Sequence, residues 1–181
     1  MSENILSRRK LSVKVQALAG LIAVVSAVAL PQLFHVMGAV SGLGTALGET
    51  FLPMHLPIIL AGLLCGPYAA AAAGAAAPLI SFLLTGMPNV VMLPFMCVEL
   101  FVYGLAAGLM RNAKLPSIAK VIIAQIAGRG VRALAIVIGA NVFGSAINVS
   151  VIWTSIAAGI FGIALQWALI PLIVYRAKNA D

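Results

Sequence analysis

Apolar runs fill most of the chain, and short polar or glycine- and proline-rich stretches divide them into six. A helix needs about 20 apolar residues to cross a hydrocarbon core about 30 Å thick. The pattern predicts helices over 13–36, 54–65, 68–84, 90–110, 117–140 and 151–175, with Pro31 loosening the far end of the first. Between the first two, residues 37–52 (MGAVSGLGTALGETFL) are rich in Gly, Ser and Thr and read as a loop or lid. Gly66-Pro67 reads as a tight turn, TGMPN (85–89) as another, and RNAKLP (111–116) as a basic loop. The second helix is short and opens on Pro53, His55 and Pro57, so its crossing has to be argued from charge.

Composition agrees with lipid as the solvent. Of 181 residues, 63% are hydrophobic and 8% charged, where soluble domains have roughly 45–50% and about 25%. A water-soluble fold of this length could not hide so much apolar surface. The expectation is an all-α membrane protein, a six-transmembrane-helix bundle forming a single membrane domain over 1–181. The first apolar run is too long for the core of a cleavable signal and reads as a permanent span.

The net charge of +7 would suit a nucleic-acid binder if it formed a solvated stripe. It sits instead at the ends of apolar runs. With the N-terminus in the cytoplasm, one side collects Arg8, Arg9, Lys10, Lys14, Arg111, Lys114, Lys120, Arg176 and Lys178, and the outer loops collect no Lys or Arg. That is the distribution insertion favours, with both termini cytoplasmic. A re-entrant second span would change the parity and break it, so six crossings are expected.

Three ionisable residues fall within spans: Glu99 in the fourth, Arg129 and Arg132 in the fifth. A charge near the bilayer centre costs at least about 2.5–3.5 kcal/mol, which makes each a functional candidate. Counting about 1.5 Å per residue puts Glu99 and Arg132 both roughly 14 Å below the outer surface. Arg129 lies about one turn deeper, on the same helix face as Arg132. An ion pair tying two helices together accounts for Glu99 and one arginine. The surplus arginine points to a water-filled cavity or an anionic group on a ligand. Tyr103, Gln125, Asn89 and His55 lie near enough to join such a site. Trp153 and Tyr175 read as interface anchors, with Trp153 also a stacking surface for a flat ligand, His35 as a rim residue, and Gln166 as an interhelical hydrogen-bonding group. In the first helix Ala19, Ala23 and Ala27 recur every four residues, a spacing that lets another helix approach closely, from within the bundle or from outside it.

Several chemistries are excluded by their missing parts. The sequence has no GxxxxGK[ST] phosphate loop, no HExxH, no GxSxG and no paired carboxylates. Cys65 and Cys97 lie in separate apolar segments without a CxxC, and read as small buried hydrophobes. No metal or other cofactor is expected, and no enzymatic activity.

Residues 52–88 (LPMHLPIILAGLLCGPYAAAAAGAAAPLISFLLTGMP), with VELFVYGLAAGL (98–109) and GRGVRAL (128–134), resemble the substrate-binding S components of energy-coupling factor (ECF) vitamin transporters. With the six-helix layout the resemblance covers nearly the whole chain. It implies a subunit of the bacterial cell membrane that binds a vitamin or related metabolite near the outer face. The loop after the first helix would gate that site. It further implies a transmembrane coupling protein, met through the Ala19, Ala23, Ala27 ladder, and two cytoplasmic ATPases that supply the missing ATP site. The substrate-binding set expected is Glu99, Arg132, Arg129, His55, Asn89 and Tyr103. The resemblance does not carry the identity of the substrate, because side chains, not fold, fix a ligand. The competing reading is a non-transporting membrane scaffold with a similar small bundle, its polar residues serving as internal glue.

Overall fold

The computed structural model describes residues 11–179; the basic cluster Arg8, Arg9 and Lys10 lies outside them. Helix α1 (Val13–Ser41) begins where the Ser12 hydroxyl accepts the Val15 N–H at 3.3 Å. It ends at Gly42, whose left-handed backbone (φ 74°) suits a residue without Cβ. Helix α2 (Ala46–Phe51) is a single short turn, and α3 (His55–Cys65) follows directly. Gly66 (φ 113°) makes the corner into α4 (Pro67–Thr85), whose proline sits in the first turn, where its missing N–H costs nothing. Helices α5 (Leu93–Leu109), α6 (Ser117–Asn141), α7 (Val151–Ala158) and α8 (Ile160–Lys178) complete the described chain. Residues 13–41, 46–65, 67–85, 117–142 and 160–178 are long and apolar enough to cross a membrane, while α5 is apolar over 17 residues.

Three boundaries differ from those the sequence predicts, each for a local reason. Residues 37–52 are largely helical. Gly38 continues α1 because the chain doubles back onto it, with the Leu43 and Gly44 N–H groups both donating to the Gly38 carbonyl, and α2 occupies the remainder. The fourth predicted helix starts later, at Leu93, because the Asn89 side chain accepts the Val91 N–H at 2.9 Å and holds a turn there. The last predicted helix is two, α7 and α8, parted at Gly159. A Cβ on Gly159 would lie 2.7 Å from the Leu52 side chain, and one on Gly162 would lie 2.5 Å from the Phe51 backbone. The two glycines let the end of α2 lie directly against α8.

The core runs between α3, α4 and α5 and is built on small residues. A Cβ on Gly74 would collide with the Leu100 carbonyl, and one on Gly104 with the Ala70 carbonyl. Ala70, Ala73, Ala77 and Ala107 fill the rest of the seam, with Ile58, Ile59 and Leu100 beside them. Lipid offers no hydrophobic gain for helix association, so backbone approach of this kind supplies the van der Waals contact that holds spans together. The alanine ladder of α1 joins this core. Ala23 is 4% and Ala27 0% exposed within the chain itself, and Gly20 packs on Ala69. The expected outward seam is corrected accordingly: α3 and α4 already occupy it, and only Ala19 stays partly open.

Candidate functional site

Glu99 is fully buried on α5 and collects its partners from three helices. Arg132 of α6 reaches it with Nη1 at 3.0 Å from Oε2. Tyr103, one turn further along α5, donates its hydroxyl to Oε1 at 2.9 Å. His55, the first residue of α3, brings Nε2 to 3.7 Å of the same oxygen, too long for a hydrogen bond, and lays its ring 5.3 Å from that of Tyr103. The arginine that pairs is thus Arg132. The carboxylate is matched to one guanidinium and one phenol; removing Glu99 or Arg132 alone would strand the other's charge in a medium that cannot solvate it.

This cluster forms the floor of a cavity of about 520 Å³, within the range of small-molecule sites. Glu99, Arg132 and His55 line its depth, and Asn89 its rim. Its walls come from α1 (Pro31, His35), from the α2 segment (Thr45, Gly48, Glu49) and from α7 (Thr154, Ser155, Ala158). The turns at 42–45 and 86–92 surround the mouth, whereas Lys14, Arg111, Lys114, Arg176 and Lys178 lie at the opposite ends of the same helices. The hollow therefore opens away from the basic end of the bundle.

Three of the sequence-predicted residues sit apart from the hollow itself. Tyr103 is below the floor, 1% exposed, and meets the cavity through Glu99 and the His55 ring. Arg129 borders a separate niche of about 10 Å³ between α6 and α7, together with Arg132 and Ser155. Gln125 is further still: its amide donates to Gln166 at 2.9 Å, and its oxygen accepts from the Trp167 indole at 2.7 Å. Gln166 in turn donates to the Leu52 carbonyl at 3.4 Å. Gln166 is thus the interhelical hydrogen-bonding group expected of it, with Gln125 as partner, and Trp153, 74% exposed, faces outward.

The cavity also contains residues that the sequence did not single out. Met54, Met87, Met92 and Met96 line it, as does Ser81, buried on α4. A signal existed for part of this set. Met92, Met96 and Glu99 fall at positions i, i+4 and i+7, one face of α5, so the face that carries the carboxylate also names its neighbours. Methionine bends to irregular shapes and makes an adaptable binding wall. His35 is in the wall and not merely near it.

Against this geometry the comparison with protein families is decisive. A family model described as ECF transporter, substrate-specific component, matches residues 14–174. The chain belongs to that family. No curated protein and no solved structure matches it significantly. Family membership makes the chain the substrate-binding kind of transporter subunit and a membrane protein, in keeping with its apolar helices. An S component is a binding subunit and not a catalytic one.

Proposed function

We propose that the hollow above Glu99 and Arg132 is the binding site for a vitamin or related small metabolite, and that the chain delivers it to an ATP-driven ECF importer. The observation that carries this reading is a cavity of about 520 Å³ floored by an ion pair inside a largely apolar bundle. Polar groups at that depth are expensive in lipid and persist where they serve a ligand or a wet pathway. In this reading Lys14, Arg111, Lys114, Arg176 and Lys178 lie on the cytoplasmic face of a bacterial cell membrane, an orientation that the positive-inside tendency supports. The cavity then opens to the outside, where an import substrate arrives. Both termini are cytoplasmic in this arrangement.

Glu99, Arg132, His55 and Asn89 contact the substrate directly, Tyr103 fixes Glu99, and Arg129 stands beside Arg132. The segment from Gly42 to Leu52 closes the mouth, with α2 as its ordered part. Power comes from elsewhere: the sequence has no phosphate loop, and a transmembrane coupling protein with two cytoplasmic ATPases supplies it. Helix α1 is the least covered of the long helices and keeps Leu18, Ile22 and Val25 exposed, so the coupling protein has that face to dock on.

The test is ligand-induced stabilisation of the purified chain across a panel of vitamins and their precursors. A ligand at 100 times its dissociation constant adds about 2.7 kcal/mol, and Arg132→Ala removes that gain. A broad panel without a single shift in the melting curve, together with unimpaired uptake by Arg132→Ala cells, contradicts the assignment. Co-purification supplies the second half: a coupling protein and ATPases come down with an importer subunit and not with a scaffold.

A further inference from the structure

Gly159, Gly162 and Gln166 fall at positions i, i+3 and i+7, on one face at the start of α8. The two glycines leave room for Leu52 and Phe51 to lie against the helix. Gln166, 1% exposed, ends this groove and donates its amide to the Leu52 carbonyl at 3.4 Å. The same carbonyl accepts the backbone N–H of His55 at 3.1 Å, and His55 belongs to the depth of the cavity. Leu52 is the only non-glycine residue with a positive φ among the described residues, a conformation that persists only where its surroundings hold it. The joint between α2 and α3 is therefore held from α8.

The hydrogen bond to Leu52 also has a fixed direction. The Trp167 indole has one N–H and no acceptor, and it donates to the Gln125 oxygen at 2.7 Å. Gln125 is left with its amide NH2 for Gln166, to which it donates at 2.9 Å. The Gln166 oxygen is thereby engaged, and its own NH2 faces Leu52. One donor-only side chain, 39% exposed at the rim of the bundle, thus orients two buried amides, and hydrogen bonds aligned in this way polarise one another. Gln125, Gln166 and Trp167 are all absent from the cavity wall. Leu52 is part of that wall, as are Gly48 and Glu49 of α2, so the relay ends on a movable piece of it. Its last bond is the longest of the three.

Resting on the reading of the hollow as an outward site closed by the segment from Gly42 to Leu52, we propose that Gln166 is a positioning residue whose bond to Leu52 latches that segment shut, with Trp167 and Gln125 setting the direction of the bond. Breaking the Gln166–Leu52 contact frees the joint and opens the hollow. Phe51 keeps a second hold, its ring 5.2 Å from that of Phe34 on α1, so the segment swings without coming away from the bundle.

The latch is tested on the full chain in washed intact cells, through the reactivity of a thiol on the cavity wall, in a background of Cys65→Ala and Cys97→Ala. Ser81→Cys is a near-isosteric change at a buried wall position, and a charged, membrane-impermeant methanethiosulfonate added outside reaches it only through the open hollow. Phe143→Cys, at a position 79% exposed after α6, reports access that needs no opening. When opening is fast relative to modification, the rate follows the open population. Gln166→Leu is expected to speed modification at Ser81→Cys about 3–10-fold, the range of one interhelical hydrogen bond, and to leave the rate at Phe143→Cys unchanged. Trp167→Phe speeds it by a smaller factor and adds nothing once Gln166→Leu is present, because both act on one bond. A Gln166 that only ties α6 to α8 would leave the Ser81→Cys rate where it was. An unchanged rate in Gln166→Leu, an equal acceleration at Phe143→Cys, or additive effects of Trp167→Phe and Gln166→Leu overturns the latch and leaves the hollow as a binding site. No modification of Ser81→Cys in any of these backgrounds overturns the latch together with the reading on which it rests.

Discussion

The two halves of α5 do opposite work. Towards its C-terminus, Gly104, Ala107 and Gly108 press so close to α3 and α4 that no side chain larger than a hydrogen fits at the glycines. At its N-terminal end, Met92, Met96 and Glu99 border a cavity of about 520 Å³. One helix is thus a structural clamp at the basic end of the bundle and a site wall at the other. The difference teaches where stability is held. In the tight half it is spread over many small contacts, each replaceable only by another small residue. In the open half a single buried ion pair ties α5 to α6, beside a small apolar cluster of Phe95, Ile136 and Ile147.

That comparison is broken most severely by Glu99→Ala. The substitution leaves Arg132 buried beside a void, and loss of one partner of a buried pair costs about 3–5 kcal/mol. Removing both charges together, Glu99→Leu with Arg132→Met, recovers much of that cost and still abolishes ligand binding, as thermal melting in detergent with and without ligand would show. If the double variant remained as unstable as the single one, the ion pair would not be the main tie of the open half.

In the tight half, Gly104→Val drives a branched side chain into the Ala70 backbone, and overpacking of this sort costs about 2–3 kcal/mol. Here the loss of stability should come without selective loss of affinity, because Gly104 is absent from the cavity wall. Measuring melting temperature and dissociation constant on the same preparation separates the two effects. A smaller effect follows from Gln166→Leu, which takes away the hydrogen bonds to Gln125 and to the Leu52 carbonyl. Interhelical hydrogen bonds in membranes contribute about 0.6–1.7 kcal/mol. Leu52 carries a left-handed backbone (φ 48°), a conformation unusual for a branched side chain, and stands at the joint between the α2 segment and α3. Gln166→Leu should therefore speed hydrogen exchange at residues 46–52 more than at α4.

Much of the site was legible because its chemistry is costly. Glu99 and Arg132 fall at matching depths by simple counting, and the structure joins them at 3.0 Å. Breaks at Gly42, Gly66 and Gly86 lie at or beside glycine-bearing turns that the sequence marks. The less legible features are those whose residue types have two uses. Gly159 interrupts an apolar run no differently from a glycine that merely packs, so the split between α7 and α8 was invisible without Leu52 and Phe51 against it. The alanines of α1 show that a helix approaches closely and not which helix, and α3 and α4 take Ala23 and Ala27. Methionines in an apolar run do not show whether they face lipid, core or cavity. Only their spacing from Glu99 separates Met92 and Met96 from the rest.

The central claim is that the space beside Met96 is reserved for a ligand, and filling it is the most direct trial. Met96→Trp places a rigid indole in the cavity without touching the ion pair or the glycine seam. The account predicts a protein at least as stable as the original when unliganded, whose melting temperature no longer responds to the ligand that stabilises the parent. Undiminished binding by Met96→Trp would contradict it, since the ligand would then be seated somewhere other than above Glu99 and Arg132.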